Sequence, residues 1–179
     1  MANWLRQWGF RPYAPDLVPS SGSAGLDRLA KDLRTFVDTT LREDEQFDLI
    51  GFSMGGLISR YYVQRLGGMA RVGRLITIST PHHGTYTAYA LANRGSKQMR
   101  RGSEFLQDLN DDVAMLTRVR VASIWTPFDL MIVPARSSCL GIGEEISIPV
   151  LVHPWMLRDE RCLAAVRRLL GSSNQIDHS

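Results

Sequence analysis

Ser53 stands between Gly51 and Gly55 in the stretch FDLIGFSMGG, and the chain changes character at that point. Phe47 to Phe52 is a short, mostly apolar run that predicts a buried strand, and the apolar residues after Ser53 recur at helical spacing. A serine on a sharp turn from strand to helix has a strained backbone and an exposed hydroxyl, the arrangement of a nucleophile elbow. Side chains at Gly51 and Gly55 are expected to clash with neighbouring backbone in such a turn. The amide of Met54, at the start of the helix, is placed to stabilise an oxyanion. Gly-x-Ser-x-Gly is short enough to arise by chance, so the strand before it and the helix after it are what give it meaning.

A serine hydroxyl becomes an effective nucleophile when a base takes its proton, and an imidazole is the better base when a carboxylate fixes its tautomer and steadies its charge. Of the four histidines, His153 follows the last apolar run, and Asp129 follows the run before it. Both are expected at strand ends on the same edge of a sheet as Ser53. His82 and His83 also follow a strand-like run and read as wall or loop residues, while His178 lies in the polar tail. The rival acids Asp111 and Asp112 sit in a polar turn and read as solvated.

The elements that must hold these residues alternate between two periods. Ala2 to Trp8 fits a short helix, and Phe10 to Leu17 reads as a strand interrupted by two prolines. After the loop-forming PSSGSAG, the residues Leu26, Leu29, Ala30, Leu33, Phe36, Val37 and Leu41 mark an amphipathic helix. The elbow helix carries Met54, Leu57, Ile58, Tyr61, Tyr62 and Leu66 and stops at Gly67 and Gly68. Strands are expected over Val72 to Thr80, Val119 to Trp125 and Ile146 to Val152, and a helix starting at Asp159 carries Cys162, Leu163, Val166, Leu169 and Leu170. Strand and helix in alternation predict an α/β fold, a mostly parallel sheet covered by helices on both faces, with ligands at the strand ends. Gly84 to Asp112 breaks the pattern, with no strand and with outward-looking Tyr86, Tyr89, Leu91, Phe105 and Leu106, and reads as a cap over the site.

At 179 residues and 44% hydrophobic content the chain makes one domain over residues 1–171, followed by a polar, disordered tail at 172–179. No apolar run is long enough to span a bilayer, and the first ten residues lack the apolar core of a secretory signal. As written the chain reads as cytoplasmic, or as secreted or periplasmic if its true start lies upstream. Cys139 and Cys162 are too few for a disulfide framework and have no metal-ligand spacing, so free thiols and no metal are expected. The formal charge of +3 comes from arginine with only two lysines. Arg94, Lys97, Arg100 and Arg101 form the densest basic patch, of a kind that attracts anionic lipid or nucleic acid and is more often simply a solvated face. No nucleic-acid-binding motif accompanies it. Oligomeric state is not readable.

In these blocks the chain resembles bacterial lipase-like α/β-hydrolases of the triacylglycerol lipase and esterase group. The resemblance lies in PSSGSAGLDRLAKDL, DLIGFSMGGLISRYY, RLITISTPHHGT, MRRGSEFLQDLN and the stretches around Asp129 and His153, and so covers most of Phe10 to Leu170. The order serine, acid, base is the one that fold uses. The resemblance implies Ser53 as nucleophile, Asp129 as triad acid, His153 as general base, Met54 as one oxyanion-hole amide, no cofactor, and a lipophilic ester as substrate. It also implies a hydrophobic strand ending in His-Gly before residue 1, whose loop would supply a second oxyanion amide and whose strand would lie between Phe10–Leu17 and Phe47–Phe52. This chain shows neither, so an N-terminally truncated hydrolase is expected, with a gap or a direct pairing at that place in the sheet. One lost oxyanion donor removes about 3 to 4 kcal/mol of transition-state stabilisation. Two functions follow as expectations: a serine hydrolase of lipophilic carboxylic esters working through an acyl-enzyme, or a catalytically impaired remnant, either unfolded alone or binding a partner or apolar ligand.

Overall fold

The computed structural model describes residues 1–19 and 23–171. The expected tail at 172–179 lies outside them. Four strands form one sheet in the order β1 (Phe47–Phe52), β2 (Val72–Ile78), β3 (Arg120–Trp125) and β4 (Glu144–Ser147), and every pairing is parallel. Parallel neighbours need crossovers, and here helices and the long segment 84–112 supply them.

Two apolar cores sandwich the sheet. On one face lie α2 (Leu26–Thr40) and α3 (Met54–Arg65), where Leu29, Leu33, Leu57 and Tyr62 meet Leu75 and Val121. On the other, α1 (Ala2–Gln7) and α6 (Glu160–Gly171) bring Leu5, Cys162 and Val166 onto Ile76, Ile78 and Ile124. The buried residues of α2, Leu26, Leu29, Ala30, Leu33 and Val37, follow the 3.6-residue period seen in the sequence. Gly67 ends α3 in the left-handed region at φ 85, the conformation that favours glycine at a helix terminus. The segment 84–112 holds α4 (Arg94–Gln98), α5 (Glu104–Asp111) and a 3-10 turn, with no strand.

Three expectations need correction. Phe10 to Leu17 forms no strand. Pro12 and Pro15 remove two ladder donors, and no neighbouring strand stands beside the segment to pair with it. The last strand runs over Glu144–Ser147 rather than Ile146 to Val152. Ile148 still donates to the Trp125 carbonyl at 2.8 Å, but Pro149 has no amide with which to continue the ladder. Within 84–112, Tyr86, Tyr89 and Leu91 are exposed, whereas Leu106 is buried in the first core and Phe105 is partly buried against Tyr61.

β1 is the outermost strand of the described sheet, and a gap rather than a direct pairing lies beside it. Phe47 and Ser53 donate their amides to the carbonyls of Arg71 and Ile78, so the odd-numbered residues of β1 face β2. In a parallel ladder the alternate residues Asp48, Ile50 and Phe52 then turn their backbone groups outward. They face a groove of about 560 Å³ between β1 and Phe10–Leu17, floored by Leu33, Phe36 and Val37 of α2.

Candidate active site

The carboxyl ends of β1, β2 and β3 converge on Ser53. Its backbone has φ 53 and ψ −124 between the end of β1 and the first turn of α3, a sparsely populated conformation that a non-glycine residue holds only when its surroundings enforce it. They do so here, because the Ser53 amide donates to the Ile78 carbonyl at 2.8 Å while its own carbonyl accepts from Gly56. The Met54 amide opens the helix and has no acceptor among the described residues. It is one of the donors that a helix N-terminus leaves unsatisfied.

The glycines around Ser53 differ from the expectation in one respect. A Cβ at Gly51 would lie 2.5 Å from the Cα of Gly56 and 2.7 Å from its amide nitrogen, so Gly51 is needed for the close approach of strand and helix. A Cβ at Gly55 would meet nothing within 4 Å. The second sterically required glycine is Gly56, whose Cβ would lie 2.7 and 2.8 Å from Cγ2 and Cβ of Thr80 and nearer still to its Oγ1.

The structure brings Asp129 and His153 together. The Asp129 Oδ2 lies 2.8 Å from the His153 Nδ1, and its Oδ1 accepts the amides of Met131 and Ile132 at 2.9 Å each. Burial alone would raise the pKa of this carboxyl. The hydrogen bonds from His153, Ile132 and Met131 outweigh burial and hold it below the ordinary carboxylate value. With Nδ1 committed to the carboxylate, Nε2 is the ring nitrogen left for chemistry. Thr126 staples the two loops, its Oγ1 donating to the Val150 carbonyl at 2.6 Å and accepting the amides of Val150 and Phe128.

The imidazole is brought to the elbow by Phe52, whose ring centroid is 4.7 Å from that of His153. The Ser53 hydroxyl makes no hydrogen bond to His153 in this structure. In unliganded sites such bonds are often long and tighten when substrate binds. Sequence reasoning missed Phe52, Thr126 and Gly56. The Gly55–Gly56 doublet and the Thr126–Pro127 turn were their only signals.

His82 and His83 stay outside the acid–base pair. His82 is fully buried, with Nε2 3.0 Å from Thr77 Oγ1 and Nδ1 3.3 Å from Arg60. Burial, then the Arg60 and His83 charges, push its pKa well below the usual histidine value and keep it neutral. Arg60 of α3 is equally buried and donates to Gln64, Asn110 and the Leu109 carbonyl, tying the elbow helix to α5. Burial lowers its pKa to about 9. Asp111 and Asp112 are exposed, as expected, and Asp112 pairs with Arg65. β2 ends in a second positive-φ serine, Ser79, with φ 45 and a buried hydroxyl that finds no partner among the described residues.

Apolar side chains crowd the same edge. Phe128, Leu130 and Met131 are exposed around Asp129, and Leu151, Val152 and Trp155 around His153. The 84–112 segment is fastened beside them, the hydroxyls of Thr85 and Thr87 donating to the Met131 carbonyl and the Tyr86 amide to that of Val133. Arg100 and Arg101 lie over the exposed rings of Tyr89 and Tyr86 at 4.9 and 5.3 Å. Among the described residues no cluster of side chains could hold a metal ion, no helix is long and apolar enough to cross a membrane, and both cysteines are free thiols.

Residues 20–102 match the family model for palmitoyl protein thioesterases. No curated protein sequence matches the chain. Among solved structures, the mature form of the Bacillus licheniformis lipase BlEst2 superposes with a TM-score of 0.65 at 14% identity, over 83% of this chain and 74% of that one. An extracellular α/β-hydrolase from a Paenibacillus species superposes with a TM-score of 0.62 at 14% identity, over 96% and 90%. The thioesterase domain NocB, solved as a covalent fluorophosphonate complex, gives 0.51 at 18% identity, over 89% and 82%. At such identities the shared property is architecture, and the parallel sheet, the strained serine between β1 and α3 and these superpositions agree on it: the chain has the α/β-hydrolase fold.

Proposed function

We propose that the chain is a serine hydrolase that cleaves carboxylic esters or thioesters of lipophilic acyl chains through an acyl-enzyme. The observation that carries this reading is the buried Asp129–His153 pair at 2.8 Å, packed through the tilted ring of Phe52 beside the strained elbow of Ser53. Ser53 Oγ attacks the acyl carbon while His153 Nε2 takes its proton, and Asp129 steadies the imidazolium. The tetrahedral oxyanion accepts the Met54 amide. Collapse expels the alcohol or thiol, which leaves with the proton from His153. Water then repeats the sequence on the acyl-enzyme and releases the acid. The thioesterase family match over residues 20–102 supports including thioesters beside oxygen esters, and the exposed apolar rim supports a lipophilic acyl group and transient contact with a lipid surface.

The direct test is active-site labelling. A fluorophosphonate should add to Ser53, located by peptide mass spectrometry, and Ser53→Ala should abolish both labelling and hydrolysis of p-nitrophenyl esters and acyl thioesters. Activity unchanged in Ser53→Ala refutes the reading. A second reading is favoured by one observation, the apolar groove beside the unpaired edge of β1: a protein that binds an apolar or extended ligand there without turnover. A folded chain that neither labels at Ser53 nor hydrolyses any acyl ester or thioester supports that alternative.

A further inference from the structure

Phe47, Leu49, Ile50 and Phe52 of β1 are only half-buried, whereas β2 and β3 are buried along most of their lengths. The pleat divides these four side chains between the cores, Phe47 and Leu49 packing with the first and Ile50 and Phe52 with the second. Both cores therefore continue to the outer edge of β1 and stop there. Beyond that edge the groove of about 560 Å³ is lined on one flank by Leu33, Phe36 and Val37 of α2 and on the other by Leu5, Leu157 and Leu170. Residues 10–17 wall it off from the far side, with Tyr13 packed edge-on against Phe36 at 6.4 Å between ring centroids. Among the described residues, the backbone of 11–17 makes no hydrogen bond to β1.

The outward amides and carbonyls of Asp48, Ile50 and Phe52 recur at every second residue, the row of groups that an edge strand offers to another strand. An alkyl chain would cover the apolar flanks and leave that row unpaired, and a polar extended peptide would pair with the row and leave the flanks bare. A second copy of the chain cannot bring its own β1 edge here, because residues 10–17 stand in front of each. We propose that the groove binds an extended apolar peptide by strand addition to β1. Its alternate side chains continue the two cores, one set against α2 and the other against Leu5, Leu157 and Leu170. A peptide of about five residues opposite 48–52 would span roughly 17 Å of the edge. The site gives a ligand class to the binding reading above, and it stands whether or not Ser53 turns over an ester.

Fluorescence polarisation tests it with a labelled valine pentapeptide flanked by lysines and N-methylated at alternate valines so that it cannot pair with itself on both edges. Saturable binding is expected. The analogue N-methylated at every valine keeps the side chains but has no donor left, and should bind about tenfold or more weakly, the worth of the lost backbone hydrogen bonds. A serine pentapeptide with the same flanks should not bind. In hydrogen exchange, the amides of Asp48, Ile50 and Phe52 should slow on adding the valine peptide while that of Leu49 stays as it was. Ala14→Trp, at an exposed position on the groove lining, should weaken binding by a similar factor, and Leu130→Glu at the apolar rim should leave it unchanged. Equal binding of the fully N-methylated peptide would make the groove an alkyl site, and protection of Ile50 without peptide that is lost on dilution would make it an interface between copies. Either result overturns the proposal, as does wild-type affinity in a folded Ala14→Trp or no binding to the wild-type protein. Fluorophosphonate labelling of Ser53 in the same samples reports separately on the hydrolase.

Discussion

Alanine substitution at two adjacent glycines separates the three-dimensional requirement of the elbow from its sequence pattern. Gly56→Ala pushes a Cβ into Thr80, a fully buried neighbour at the end of β2. Overpacking of this kind costs about 1–3 kcal/mol, only partly offset by the roughly 0.4–1 kcal/mol that replacing glycine returns through the unfolded chain. At Gly55 the new methyl meets open space, so only the favourable contribution of about 0.4–1 kcal/mol remains. For a chain of this size each kcal/mol moves Tm by about 2–4 °C. Thermal melts should therefore place Gly55→Ala at or slightly above the wild type and Gly56→Ala several degrees below it. Gly51→Ala should fall lowest, because it collides with backbone that no side chain can yield. The double variant Gly56→Ala/Thr80→Ala removes Oγ1 and Cγ2 and should recover part of the loss, with a coupling of at least about 0.5 kcal/mol. Equal destabilisation by Gly55→Ala and Gly56→Ala, or strict additivity with Thr80→Ala, would refute the steric argument.

Asp129→Asn keeps an acceptor for the Met131 and Ile132 amides but presents an amide group to His153 Nδ1. It should lower kcat for ester hydrolysis by about 10⁴-fold through the wrong tautomer, with a near-native circular dichroism spectrum; an active Asp129→Asn would remove Asp129 from the mechanism. Stability should also depend on pH through His82. Its folded pKa lies well below 6.5, so between those values the unfolded chain binds the extra proton, and the contribution present above pH ~6.5 is lost as pH falls, at up to about 1.4 kcal/mol per pH unit. Urea midpoints at pH 7.5, 6.5 and 5.5 should decline in that order, and a flat profile would contradict a buried neutral His82. At the apolar rim, Leu130→Glu and Trp155→Glu should reduce sedimentation with anionic phosphatidylglycerol vesicles while sparing hydrolysis of a soluble short-chain ester. Unchanged sedimentation would mean that the rim is not a lipid contact.

What was legible in the sequence was whatever a local pattern determines. β1 falls on Phe47–Phe52 and α3 begins at Met54 because a six-residue apolar run, a serine in a Gly-rich turn and a 3.6-residue period each act over one element. The pairing of Asp129 with His153 was readable because both follow strands of a parallel sheet, whose carboxyl ends share one edge. The misreadings share a cause, dependence on a neighbour. Phe10–Leu17 has strand-like residues, but a strand exists only where another pairs with it. Leu106 looked exposed because nothing local shows that α5 packs on α3. Gly55 looked obligatory because the motif names it, whereas the collision that matters is made by Gly56 with Thr80, a residue just past the end of β2 and distant in sequence.

The open edge of β1 makes the last of these dependences measurable, residue by residue. Among the described residues the amides of Asp48, Ile50 and Phe52 face the groove without an acceptor, while those of Leu49, Gly51 and Ser53 point into the ladder with β2. Hydrogen exchange should therefore alternate along the strand that carries the elbow, with Leu49, Gly51 and Ser53 protected and Asp48, Ile50 and Phe52 exchanging faster. An extended segment that paired with these open amides would stabilise β1 and with it the strained turn at Ser53. Protection at Ile50 equal to that at Leu49 would show the edge to be covered in solution. Alternation that disappears on adding a partner or ligand, with a matching gain in esterase activity, would tie the geometry of the elbow to the strand edge beside it.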